Sequence, residues 1–306
     1  MNYLMQRILT GVFAIFFIAT ATFFLMHAIP GDPIRQEKAM SDTVRKNLEE
    51  RYGLNKPVFE QYTLYMAKIF LHGDFGVSYK QENRSVNAII REHFWVSALL
   101  GITALLGAFV FGVFLGVVAA IKRNSWIEAL CLFIAVIGVS IPSFCLAYLF
   151  QHFFAIKLKV LPVGGWSSPA SIVLPALSLG MIVMASLARL MRSSMLEVIS
   201  QDYIRTARAK GMSSLNIIFK HEIRNAILPI IVYFGPLFAS VMTGTFVIES
   251  IFGIPGLGQF FVNSVAELDY TVIMGLTVFY AGFSIVIILL NDLSLALIDP
   301  RVRIAK

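Results

Sequence analysis

The sequence predicts an all-α membrane protein with six transmembrane helices, and three observations carry that prediction. First, 58% of the 306 residues are hydrophobic and only 14% are charged, against about a quarter charged in ordinary soluble domains. Mean hydropathy is +0.77, and so much apolar surface has to face lipid. Second, the apolar residues gather into six runs, near 8–28, 96–121, 127–156, 172–187, 226–248 and 271–297. Their lengths match or approach the roughly 20 residues that a spanning helix needs. Third, the cations of the short loops and the tail fall on one side: Lys122 and Arg123, seven Lys/Arg from Arg189 to Arg224, and three after Pro300. The other side has only Lys157 and Lys159 in its short loops. Positive charge collects on the cytoplasmic side, which places both termini there.

The first run follows a single Arg7. It is long for a leader peptide, and Met26-His27-Ala28 makes a poor small-residue cleavage site, so a retained helix over residues 1–30 is expected. Residues 31–95 form an extracytoplasmic segment. Between Gly31 and His93 it is nearly charge-balanced, with ten Lys/Arg against nine Asp/Glu. Such a length is translocated in spite of its cations. Tyr52-Gly53-Leu54-Asn55-Lys56-Pro57 and Gly73-Asp74-Phe75-Gly76-Val77-Ser78 are turn chemistry between short helices.

The second span repeats small residues at a four-residue step, Ala104, Ala108, Gly112, Gly116 and Ala120. That spacing lays one smooth stripe along a helix and lets another backbone approach closely. Pro142 predicts a kink in the third span and Pro236 one in the fifth. Gln151 and His152 lie toward the outer end of the third span, where an interfacial histidine is the simpler reading. Phe252-Gly253-Ile254-Pro255-Gly256-Leu257-Gly258-Gln259 is a connector; it lacks the Lys-Ser/Thr ending of a phosphate loop. Asp292 sits near the inner end of the last span, a position that suits a solvated or paired structural acid. Cys131 and Cys145 share one apolar run and suggest small packing residues, with no disulfide or metal site.

The fourth and fifth spans are joined by a basic amphipathic insertion, Ser200 to Pro229. Ser200 can cap a first short helix, with Asp202 in its first turn and Arg208 and Lys210 in its last. Gly211 supplies a left-handed stop. Ser213 or Ser214 can cap a second helix with Leu215, Ile218 and Phe219 on one side, and Pro229 suits the first turn of the helix after it. Amphipathicity alone leaves two readings open, an orientation-fixing loop at the lipid surface and a docking element for a soluble partner.

Several chemistries are absent. There is no Gly-x-x-x-x-Gly-Lys-Ser/Thr loop, His221-Glu222 lacks the second histidine of a zinc-protease helix, and no rhomboid-type Gly-x-Ser-Gly occurs. No Lys, Arg, Asp or Glu lies in the middle of a span. Ion-coupled secondary transport usually needs such a group, so this absence counts against that class. The formal charge of +7 is accounted for by the loops and needs no nucleic acid.

The run Arg205-Thr206-Ala207-Arg208-Ala209-Lys210-Gly211, then His221, Arg224-Asn225-Ala226 and Pro229, resembles the cytoplasmic loop of ABC-importer permeases, and within them the oligopeptide and dipeptide branch. The usual Glu-Ala-Ala reads Arg205-Thr206-Ala207, and the glycine-to-proline distance is longer. Both departures resemble the peptide branch, and Arg205 does not inherit the role of the usual glutamate. The 52–62, 73–78 and 252–259 stretches resemble the same family.

The resemblance implies a type I importer permease, with a core over residues 96–306 and a coupling loop at about 189–225. The short helix Gln201 to Lys210 would be the coupling helix, seated in a groove of an ATPase subunit, with Arg205, Thr206, Ala207, Arg208, Ala209, Lys210 and Gly211 as the coupling residues. It further implies a homologous second permease, two ATP-binding subunits that carry ATP and magnesium, and an extracytoplasmic solute-binding protein, all at a bacterial plasma membrane. Oligopeptides are the expected cargo, with dipeptides, nickel chelates or other small solutes as alternatives. No residue is assigned to the cargo.

Overall fold

The computed structural model describes residues 3–29, 46, 50, 52–81 and 83–298. The expectations for most of 30–51 and for the basic tail after Pro300 lie outside the described residues. Among those described, the chain is helical with one isolated bridge, Val77 to Ser85. We number the helices α1 (Tyr3–Ala28), α2 (Val58–His72), α3 (Val86–Ile121), α4 (Trp126–Ser140), α5 (Ser143–Phe150), α6 (Val173–Ile199), α7 (Asp202–Ala209), α8 (Ser214–Ala226), α9 (Leu228–Phe252), α10 (Leu257–Glu267) and α11 (Tyr270–Ile298). A wider π-helical stretch, Gln151–Lys157, extends α5, and another, Ile218–Ile223, lies inside α8.

Four helices are long and apolar enough to cross a membrane by themselves, and up to seven crossings result if each of three bent pairs counts as one. The six expected spans fall inside that range. Pro142 produces more than a kink: α4 and extended α5 meet at 108°. Its ring removes a helical donor, and Ile141 before it is extended, with φ −100° and ψ 125°. Pro236, by contrast, is accommodated within α9.

Two compact units divide the chain. One comprises residues up to 97 together with 255–286. Its core joins α1 to α2 and the start of α11 through Ala19, Met66, Ile69 and Val278, and through Phe23, Tyr270, Ile273 and Met274. Asp269, 2% exposed, closes it: the carboxylate accepts from Ser78 Oγ at 2.5 Å, Tyr79 N at 3.1 Å and Val272 N at 3.4 Å. A cavity of about 550 Å³ in this unit is walled by Tyr52, Tyr65, Lys68 and Asp74, among others. Burial pushes the Tyr65 phenol above its ordinary pKa.

The second unit comprises 98–254 and the end of α11. α6 is its axis, packed by α4, α5 and α9. The α3 stripe lies against it: a Cβ added to Gly112 would stand 2.8 Å from Met184 O, and one on Gly116 2.6 Å from both Ala188 O and Met191 Cβ. Ala104 and Ala108 are also buried, with Gly180 of α6 meeting the Ala104 carbonyl, and Ala120 is 3% exposed. Backbone meets backbone along this seam, which only small residues allow.

α6 runs on through Arg189 and Arg192 to Ile199, beyond the end of the predicted span. The reason is a partner: Arg192 Nε donates to Glu128 Oε1 at 2.7 Å, and Nη2 reaches the same oxygen. Glu128 also accepts from Asn124 N at 2.5 Å, and Ser125 caps α4. This charge-assisted pair, two guanidinium nitrogens on one carboxylate oxygen, fastens α4 to α6.

Candidate functional site

The basic insertion folds as two short helices joined by a tight reversal. α7 covers Asp202–Ala209, inside the range expected for the first helix. Its cap differs from expectation. Ser200 Oγ donates back to Glu197 O at 2.7 Å, and Gln201 occupies the cap position without a side-chain bond to α7. α6 ends so close to α7 that the serine is taken up by the preceding helix.

Gly211 adopts φ 77°. Met212 N donates to Ala207 O at 3.3 Å and Gly211 N to Arg208 O at 3.0 Å. These two bonds form a Schellman stop, which needs a residue in the left-handed region, where glycine has no Cβ penalty. Met212 then packs against Ile204, Ala207 and Ile217, with Val198 of α6 also in contact. Ser213 caps α8 by accepting from Asn216 N at 3.4 Å, and Pro229 sits in the first turn of α9.

The buried face of α8 is not the one expected. Ile217 is 3% exposed, whereas Leu215 is 68% and Phe219 67% exposed. Ile217 faces Ile204 and Ala207 of α7, a neighbour that the apolar spacing within α8 does not reveal.

Among the seven residues expected to couple, Ala207 is buried and the other six are exposed. Arg205 points outward, with 75% of its side chain exposed and a 3.5 Å contact to the still more open Asp202. Thr206 Oγ1 donates to Asp202 O at 3.0 Å, within its own helix. Lys210 closes the last turn through its backbone N–H to Thr206 O, and Ala209 lies beside it on the open face. Arg208 is engaged inside the elbow: its Nη2 lies 3.5 Å from Oε1 of Glu222. Burial raises the Glu222 carboxyl, and the Arg208 guanidinium opposes that rise. A second tie runs from Asn225 Nδ2 to Tyr203 Oη at 3.0 Å.

Sequence reasoning missed Glu222, Tyr203 and Asn225 as partners. The available signal was an acid at position 222 beside a histidine at 221 and between cations at 220 and 224, a pattern that leaves its partner open. Among the described residues no cluster of His, Cys, Asp and Glu could hold a metal ion.

Long apolar helices, bent pairs and a basic elbow between two of them define a multi-pass membrane protein of transporter type. Residues 112–304 match the family described as the binding-protein-dependent transport system inner membrane component, and residues 1–100 match its N-terminal membrane component. The chain belongs to this family, the membrane permease subunits of ABC importers, whose ATPase resides in a separate subunit.

Over 305 residues the chain is 46% identical to a dipeptide transport system permease protein of Bacillus subtilis, covering 100% of this chain and 99% of that one. It is 40% identical to an oligopeptide transport system permease protein of Escherichia coli K12, covering 99% of each. Solved structures share the fold. The MetNI methionine ABC transporter, in an inward-facing form, matches with a TM-score of 0.54 at 19% identity over 70% of this chain and 96% of that one. An amino acid ABC transporter crystallised with histidines gives 0.52 at 16% identity over 70% and 94%.

Proposed function

We propose that this chain is the pore-forming subunit of an ATP-driven importer of oligopeptides, with α7 as the helix through which a partner ATPase moves it. The observation that carries this reading is the elbow itself. A basic, outward-facing helix of eight residues is anchored by its buried side to the end of α6 and to α8, which leads into α9. Force applied to α7 therefore reaches two membrane helices at once. Positive charge on this side argues for a cytoplasmic elbow and cytoplasmic termini at a bacterial plasma membrane.

In this reading a homologous permease completes the pore, and two ATPase subunits bind ATP and magnesium below it. A binding protein delivers cargo on the opposite face. ATP binding draws the ATPases together, α7 follows its docking groove, and the pore changes the side to which it opens. Dipeptides are the second reading, favoured by the name of the 46% identical relative.

Purification of the tagged chain from native membranes tests both. Recovery of two ATPases and a solute-binding protein is expected, and the recovered binding protein is titrated with di-, tri- and pentapeptides. Tight binding of the longer peptides supports oligopeptide import, and binding confined to dipeptides selects the second reading. Uphill uptake by the chain without any nucleotide-hydrolysing partner would overturn both.

A further inference from the structure

A helix that receives force must be stiffly joined to whatever it moves, and the covalent joint here is soft. Between α7 and α8 lie Lys210, Gly211, Met212 and Ser213, a turn whose shape is set by a glycine. Stiffness has to come from ties across the elbow. One is apolar, Ile204 and Ala207 on Ile217; one is the Asn225–Tyr203 hydrogen bond; one is the Arg208–Glu222 pair.

The pair is lopsided. The Glu222 side chain is 3% exposed and that of Arg208 is 56% exposed, so Glu222 holds from below a guanidinium whose outer face is open. A buried carboxylate is a poor choice for stability alone, since an apolar side chain of similar size fills the space without desolvating a charge. Glu222 also sits in the π-helical turn, a widening found often at functional positions.

We propose that Glu222 is a positioning residue for transport: it orients Arg208 on the docking face and locks α8 to α7, so that displacement of α7 is passed to α9. This rests on the reading of α7 as the ATPase contact. Glu222 is too buried to touch a partner and acts only through Arg208.

The test uses the complete transporter in proteoliposomes, with peptide uptake and phosphate release measured in the same vesicles and normalised to assembled complex. Glu222→Gln is expected to lower peptide taken up per ATP hydrolysed by about fivefold or more. Arg208→Gln is expected to do the same, and the double variant to be no worse than Arg208→Gln alone. If Glu222→Gln assembles poorly, Glu222→Met supplies an apolar side chain for the same readout.

A wild-type ratio in the Glu222 variants overturns the inference. So does a double variant whose defect is the product of the two single ones. A wild-type complex that shows no ATP-dependent uptake defeats the function reading as a whole. Normal wild-type coupling with unaffected variants defeats only the role of Glu222.

Discussion

The α3–α6 seam and the α7–α8 elbow join helices in opposite ways. At the seam, Gly112 and Gly116 let the backbone of α3 rest on the carbonyls of Met184 and Ala188, and there is no room for slack. At the elbow, a Cβ added to Gly211 would meet nothing within 4 Å, and the helices are held by a few buried side chains and two polar ties. Glycine therefore serves two ends in one molecule: close approach at the seam and backbone conformation at the elbow. The difference teaches that the seam joins helices by backbone contact and the elbow by side chains, which is where the proposed push would enter.

Three substitutions sharpen or break that comparison. The largest effect is expected from Gly116→Leu, because its first added carbon stands 2.6 Å from Ala188 O and Met191 Cβ. Overpacking of a tight core costs about 1–3 kcal/mol and occasionally more, and here a backbone atom would have to yield. Size-exclusion profiles of the detergent-extracted protein should show little folded material; a normal peak and melting temperature would mean the seam is looser than described.

Next comes Gly211→Leu. The space is open, so the cost is that of a left-handed backbone, about 1–2 kcal/mol. The variant should insert and assemble, and the assembled transporter should hydrolyse ATP with little uptake. Normal coupled transport by this variant would count against the elbow as the transmitting part.

The smallest effect on folding is expected from Arg205→Gln. Its ion pair with Asp202 is open to solvent, with side-chain exposures of 75% and 96%, so melting should shift by less than about 1 kcal/mol equivalent. The amount of ATPase retained on the tagged complex should nevertheless fall. Unchanged retention would remove Arg205 from the docking face.

The elbow was largely legible because its signals are local. A glycine after a basic turn, a serine before a new helix and a proline at the next helix start each act within four residues. What escaped depends on distant or cumulative effects. The extension of α6 past Arg192 relies on Glu128, 64 positions away, where the sequence suggested only a cation leaving the membrane. α10 was hidden because its first residues lie in the 252–259 stretch that reads as a connector, whereas the helix buries Leu257, Gly258 and Ser264. The break at Pro142 was visible as a kink, but its 108° angle depends on packing against α6. In α8, Ile217 is buried because it meets Ile204 and Ala207 of α7, a contact that spacing within α8 alone does not reveal.

The length of α6 has a mechanical consequence. Its 27 residues span about 40 Å at 1.5 Å per residue, more than the roughly 30 Å hydrocarbon core of a bilayer. A rod that outruns the membrane is a lever arm, and tilting it by about 10° carries its far end some 7 Å, on the order of a peptide backbone's width. If α7 takes up force as proposed, movements of a few ångströms at the elbow end would reach the opposite side of the bilayer without any helix having to unwind.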